Sequence, residues 1–133
     1  MIVVADTGAL YALADRSDAW HQRVRDWWVA APRRVVIPTS VVPELCYLLQ
    51  TRLGAAAELA FVRAVRTREF QLVEVEGRDL PHIEATMLQF ADFPLGYVDA
   101  SVVAVAERLK AVEILTTDRR HFPRIAPTLA VAP

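Results

Sequence analysis

Four carboxylates carry the chemistry this sequence could perform: Asp6, Glu44, Asp99 and Asp118. Asp6 closes the apolar run Ile2-Val3-Val4-Ala5 and is followed by Thr7-Gly8, while Asp118 stands just past the apolar stretch from Ala111 to Thr117. In open α/β sheets ligands bind beyond the carboxyl ends of the strands, so both aspartates stand where chemistry is placed. If those strands are neighbours, the two side chains emerge a few ångströms apart. Glu44 and Asp99 come from the early turns of apolar helical patterns and could converge on the same rim. Carboxylates gathered in one pocket repel unless a cation lies between them. Hard oxygen donors without a His or Cys cluster suit Mg²⁺ or Mn²⁺ better than zinc. Such ions serve phosphoryl chemistry: they activate water, bind the non-bridging oxygens and neutralise the leaving group. Thr7, Ser101, Thr116 and Thr117 could orient waters or carboxylates around them. Each acid also has an ordinary structural role open to it, as a cap, a helix-dipole partner or a solvated loop residue. Four together favour the site, because acids are rarely buried unpaired.

The elements that must position these acids follow from periodicity. Ile2 to Ala5 is continuously apolar and rich in β-branched residues, as in a strand buried on both faces of a parallel sheet. A short helix follows from Ala9 to Ala14 and stops near Asp15. Ser17 or Asp18 can cap a second helix, with Trp20, Val24, Trp27 and Trp28 on one face. That aromatic stripe fits either core or an interface, and His21 beside it suits a surface or capping role. Pro32 breaks this helix, and Arg34 to Pro38 reads as a second strand. Thr39 or Ser40 opens a third helix, with Pro43 tolerated in its first turn and Glu44 on or beside its apolar stripe. A fourth helix runs from about Ala55 to Arg66 and is expected to bury Leu59 and Val62, with Phe61 and Val65 beside them. Phe70 to Val75 alternates like a half-exposed edge strand. Asp79 is expected to cap a fifth helix, with Pro81 in its first turn and Ile83, Met87 and Phe90 facing inward. Val98 to Ala106 is apolar almost all round, so this helix is buried, with Asp99 in its first turn. Leu129 to Val131 reads as a final edge strand. Alternating strands and helices imply a mainly parallel sheet covered by helices on both faces, a three-layer α/β/α fold.

The chain has 133 residues, enough for one domain spanning 1–133 with one sizeable core. No segment approaches a transmembrane length and the N-terminus lacks a charged leader, which points to a cytoplasmic protein. The one cysteine, Cys46, rules out an internal disulfide and reads as a buried core thiol. Net charge is −1, so no overall basic excess announces nucleic-acid binding. The cations are nearly all arginine, with Lys110 the lone lysine. Arginine favours phosphate contacts, but an Ala- and Arg-rich chain can equally reflect genome base composition.

Rival readings fail on the same residues. Asp6-Thr7-Gly8 matches a motif of retroviral-type aspartic proteases, but those are all-β dimers and the helical periodicities here contradict that. A haloacid-dehalogenase phosphatase needs a second aspartate where Gly8 stands. A response-regulator receiver needs an acidic pair after the first strand and a late lysine, and neither is present. With four glycines in the chain there is no glycine-rich phosphate loop. The arrangement instead resembles the PIN domain, specifically the VapC-type ribonuclease toxins of prokaryotic toxin–antitoxin pairs. Four pieces carry the resemblance: Val4-Ala5-Asp6-Thr7-Gly8-Ala9-Leu10, Pro43-Glu44-Leu45, Asp99-Ala100-Ser101, and Leu115-Thr116-Thr117-Asp118-Arg119-Arg120-His121-Phe122. Their order and spacing agree across essentially the whole chain, and the last two are the most specific. Gly8 departs from the serine more often found there.

The resemblance implies a parallel five-stranded sheet with the first strand central. It implies that Asp6, Glu44, Asp99 and Asp118 bind Mg²⁺ or Mn²⁺ for hydrolytic RNA cleavage, with in-line attack by a metal-activated water. Asp6, Asp99 and Asp118 would hold the metal, and Glu44 would ligate or act on the water. A homodimer, held inactive by an antitoxin whose tail occupies the site, is implied as well. An apolar groove, with the tryptophan stripe as part of it or of the dimer contact, is expected to help capture the antitoxin. The alternative is a non-catalytic PIN-like module binding RNA or protein, which would have no need to keep all four acids.

Overall fold

The computed structural model describes residues 1–30 and 33–133. The described elements are β1 (Ile2–Ala5), α1 (Thr7–Ala14), α2 (His21–Ala30), β2 (Arg34–Pro38), α3 (Val41–Leu53), α4 (Ala55–Arg66), β3 (Gln71–Val73), α5 (Leu80–Gln89), α6 (Tyr97–Arg108), β4 (Glu113–Leu115), α7 (Phe122–Ile125) and β5 (Ala130–Ala132). A 3-10 turn, Gly77–Asp79, leads into α5. The helix break expected at Pro32 lies outside the described residues.

All five strands run parallel in the order β3-β2-β1-β4-β5, so the first strand is central, as the resemblance implies. Val4 pairs with Val36 on one side and Ile114 on the other, and Val3, Val4 and Ala5 are completely buried. A strand covered on both faces needs apolar side chains at successive positions, which is what β1 supplies. The edges are β3, half-exposed, and β5. Because β1 and β4 are neighbours, both strands deliver their chain to the same end of the sheet.

Helix α6 packs on β1 and β2, and α5 packs on α6. Every residue from Ala100 to Ala106 is buried, and none is larger than valine. Small side chains let a helix lie close to the sheet on one face and to another helix on the opposite one. A second group, α1, α3 and α4, packs together, and α3 and α4 form a hairpin around Gly54. This single residue ends one helix and starts the next at φ +101°, a conformation that glycine adopts without the Cβ penalty.

Five residues are placed differently from the sequence reading. Leu59 and Val62 are about half exposed rather than buried, and α4 turns Phe61, Ala57, Ala64 and Val65 inward instead. The helix is apolar on two sides, so periodicity alone selects neither. Met87 also lies toward solvent, because the inward stripe of α5 runs through Ile83 and Thr86. Asp79 does not cap α5: its carboxylate accepts from the Glu76 amide at 2.8 Å and from Arg108 Nε at 2.9 Å, tying the 3-10 turn to the end of α6. Cys46 is half-buried rather than enclosed, and that burial still pushes its thiol pKa up.

His21 acts as a clasp, its Nδ1 2.8 Å from the Ala12 carbonyl, and Asp18 accepts from the Trp20 amide at 2.8 Å. The three tryptophans are half-buried against the main core; Trp28 meets Phe70 edge-on at 5.6 Å and Trp27 at 6.2 Å. No helix among the described residues is long and apolar enough to cross a membrane.

Candidate active site

Asp6 follows β1 directly. Its backbone N–H donates to Leu115 at 2.9 Å, extending the β1–β4 ladder by one residue and so fixing the direction of the side chain. Although Asp6 occupies the N-cap position of α1, its carboxylate makes no capping bond. It accepts instead from Thr116 Oγ1 at 3.1 Å and is only 6% exposed. Burial first, and the charge of Asp99 second, push its pKa from 3.8 up to about 7, against the opposing pull of the Thr7 amide and the Thr116 hydroxyl. Asp99, in the first turn of α6, is half-buried. Its pKa rises to about 6, again chiefly through burial, with His121 pulling it down and Asp118 and Glu44 pushing it up.

Asp118 stands three residues beyond Leu115, at the start of the turn into α7. One carboxylate oxygen accepts from the Arg120 and His121 amides at 2.9 and 2.8 Å, and the other lies 2.5 Å from His121 Nδ1. Burial alone would raise its pKa, but the His121 and Arg120 hydrogen bonds outweigh it and hold the group below its ordinary value. Thr116, fully buried, joins the two strand ends: its hydroxyl donates to Asp6 and accepts from the Asp118 amide at 2.9 Å.

The oxygens of Asp99 and Asp118 and a ring nitrogen of His121 lie within 4.8 Å of one another. Asp6 is coupled to this group through Asp99. Glu44 is exposed on the first turn of α3 and reaches the cluster through its charge, which raises both Asp6 and Asp99. The structure therefore gathers Asp99, Asp118 and His121 closely, links Asp6 to Asp118 through Thr116 and to Asp99 through charge, and leaves Glu44 exposed beside them. Ser101 donates to the Val98 carbonyl at 2.6 Å, leaving its lone pair to accept from Ser40 at 2.6 Å, which pins the start of α3 to the first turn of α6.

His121 carries no role in the sequence reading, yet it stands inside the cluster. The available signal was its position three residues after Asp118, where a turn folds the ring back onto the carboxylate. The Gly8 departure also acquires a cause. A Cβ there would come within 2.5 Å of Thr117 Oγ1, so glycine makes room for a hydroxyl delivered from the end of β4.

These residues fit a divalent cation. Two carboxylates are held toward the protonated state by burial and mutual repulsion, which a cation would reverse. Two buried polar atoms at the site, Thr7 Oγ1 and His121 Nε2, have no partner among the described residues. The donors are hard oxygens, and the one imidazole is engaged by Asp118, a set that suits Mg²⁺ or Mn²⁺.

Comparison with known proteins agrees with this geometry. Residues 3–127 match the PIN domain family. The chain is 32% identical over 125 residues to Ribonuclease VapC26 of Mycobacterium tuberculosis, covering 94% of this chain and 93% of that protein. The crystal structure of Mycobacterium tuberculosis VapC20, a sarcin-ricin loop cleaving toxin, superposes with a TM-score of 0.85 at 23% identity, covering 98% of this chain and 99% of that one. DNA-bound VapBC from Salmonella typhimurium gives a TM-score of 0.75 at 19% identity, over 98% and 96% of the two chains. The family model spans nearly the whole chain and the curated relative is covered almost end to end, so the chain belongs to the PIN domain family, in its VapC branch.

Proposed function

We propose that this chain is a Mg²⁺- or Mn²⁺-dependent endoribonuclease, the toxin of a toxin–antitoxin pair, acting on RNA in the cytoplasm. The observation that carries the reading is the pairing of two carboxylates raised toward neutrality, Asp6 and Asp99, with one held ionised, Asp118. Asp6, Asp99 and Asp118 would hold the ion, with Glu44 at its open side. The ion, when bound, supplies charge for the phosphoryl oxygens and lowers the pKa of water. The chain does the positioning. Asp118 is kept ionised and fixed in direction by two amides and His121, while Thr116 sets the spacing between Asp118 and Asp6. Asp6 and Asp99, both raised in the metal-free chain, would have to be ionised to hold the ion. The buried Thr7 hydroxyl, without a partner among the described residues, is placed to hold a water or a phosphate oxygen at the first turn of α1.

For antitoxin capture we propose the apolar cleft of about 280 Å³ between α1 and the α3–α4 hairpin, lined by Leu10, Leu13, Leu45, Leu49, Phe61 and Phe70. None of the tryptophans lines it, so the expected role of that stripe in the groove passes to these residues. A homodimer belongs to the same proposal. The test is RNA cleavage by purified protein. A chelator should stop it, Mg²⁺ or Mn²⁺ should restore it, and zinc should substitute poorly. Full cleavage in chelator overturns the metal reading, and RNA binding without cleavage in any of these ions favours a non-catalytic binding module.

A further inference from the structure

Beside the acids lies a small basic and aromatic cluster that the cleavage chemistry does not use. Phe93, in the loop between α5 and α6, packs against the His121 ring at 4.7 Å between centroids. The Arg124 guanidinium lies over the same phenyl ring at 4.5 Å and that of Arg120 at 5.6 Å. Both arginines are exposed, and neither makes an ion pair with a carboxylate among the described residues. Their neighbour Arg119 differs: its guanidinium is tied back to the Val131 and Pro133 carbonyls and rests on Trp20. Within the Asp118–Arg124 segment, then, one arginine is used structurally and two are held in place by an aromatic ring with their charge toward solvent.

From this arrangement we infer that Phe93, Arg120 and Arg124 form a subsite for single-stranded RNA, holding the nucleotide next to the bond placed at Asp99 and Asp118. This rests on the ribonuclease reading of the acidic site. Guanidinium groups meet phosphates with planar, forked hydrogen bonding, and their flat faces also stack on bases. A ring beneath them limits their rotamers, so less freedom is lost on binding. His121 connects the two parts, with one edge against Phe93 and Nδ1 on Asp118, so the subsite and the acid cluster keep a fixed relation. The same loop ends at Tyr97, exposed on the first turn of α6 two residues before Asp99, where it offers a second aromatic face. A nucleic acid with unstacked bases suits such a surface, because aromatic platforms and arginines together bind single strands with little dependence on sequence.

The test places Arg120→Ala, Arg124→Ala, the double variant and Phe93→Leu in an Asp6→Asn background, which silences cleavage, in Mn²⁺. Affinity for a labelled single-stranded RNA of roughly ten nucleotides is read by anisotropy across a salt series. Each arginine variant should weaken binding about 5-fold and the double variant about 30-fold, with the salt slope falling by about 0.7 for each arginine. Phe93→Leu, which keeps an apolar side chain but removes the flat ring, should fall between the parent and the single arginine variants. Arg66→Ala, on α4, controls for the loss of any one positive charge and should match the parent. Without the silencing substitution, the arginine variants should raise KM more than they lower kcat. RNA affinity and slope within twofold of the parent in the double variant overturn the subsite, as does a loss confined to kcat. A loss confined to antitoxin capture makes the surface a protein contact and overturns it too. Wild-type protein that binds RNA through these arginines yet cleaves nothing in Mg²⁺ or Mn²⁺ sinks the ribonuclease reading and leaves the subsite standing.

Discussion

β1 and β4 lie side by side, run in the same direction and are each followed by an aspartate at the same end of the sheet. In sequence the two strand ends look like copies. In the structure they hold opposite electrostatic states. Asp6 is buried, faces Asp99 and receives one side-chain hydroxyl bond, so its pKa climbs to about 7. Asp118 is also partly buried, but a turn wraps two amides and an imidazole around it, and its pKa falls. The difference lies in the residues that follow. After Asp6 the chain runs straight into α1 with no side-chain capping bond to the carboxylate, and after Asp118 it doubles back on the carboxylate. One carboxylate is thereby held toward the protonated state, and the other toward the ionised one.

The largest expected effect treats the two alike. Asp6→Asn and Asp118→Asn should each lower RNA cleavage about 100-fold or more in steady-state assays, since even outer partners of metal ligands commonly cost 10–100-fold. An active Asp118→Asn enzyme would remove that acid from the proposed site.

Stability should then separate them. In chelator at neutral pH, Asp6→Asn should unfold later than wild type by about 1–3 kcal/mol, because a buried, repelled carboxylate is removed. Asp118→Asn should unfold earlier by about 1–2 kcal/mol, because its charged hydrogen bonds are lost. Urea denaturation of the three proteins reads both. Equal shifts in the same direction would break the contrast.

The pH dependence sharpens it further. Asp6 binds a proton more tightly folded than unfolded, so its contribution is full below its unfolded value of 3.8 and is lost as pH rises through about 7. Metal-free wild type should therefore lose stability between about pH 4 and pH 7, and Asp6→Asn should flatten that slope. Asp118, with its pKa lowered, contributes stability that is present above 3.8 and is lost only as pH falls further. Thermal melts over this range in chelator decide the matter, and a wild-type profile that rises toward pH 7 would contradict the state assigned to Asp6.

The smallest effect concerns the point where the two strand ends touch. Gly8→Ser should force Thr117 to rotate and cost about 1 kcal/mol, and Thr117→Ala should relieve that cost in the double variant. An additive double-mutant cycle would mean that the two residues do not compete for the space.

Much of this framework is legible in the sequence, for local reasons. A four-residue apolar run with no polar face has few options besides a central strand, and Val98 to Ala106 can satisfy no environment but a buried one. The acids are equally visible, because carboxylates stand out at the ends of such elements. The rest depends on contacts between distant residues. Whether a strand-end aspartate is raised or lowered depends on what faces it across the sheet and on how the following turn closes. His121 belongs to the cluster only because of that turn. The buried stripe of α4 is chosen by α3, and the two apolar sides of its sequence are otherwise equivalent.

The all-round burial of Ala100 to Ala106 has an evolutionary consequence. With the sheet on one side, α5 on the other and nothing larger than valine between them, this helix works as a shim of fixed thickness that sets how far Asp99 stands from β1. A single alanine-to-valine exchange several residues away from the acids would lift the helix and detune the site without touching it. Descendants of this chain thus have little freedom to vary there, whereas exposed positions nearby, such as Pro94, Tyr97, Arg120 and Arg124, can change without moving the acids.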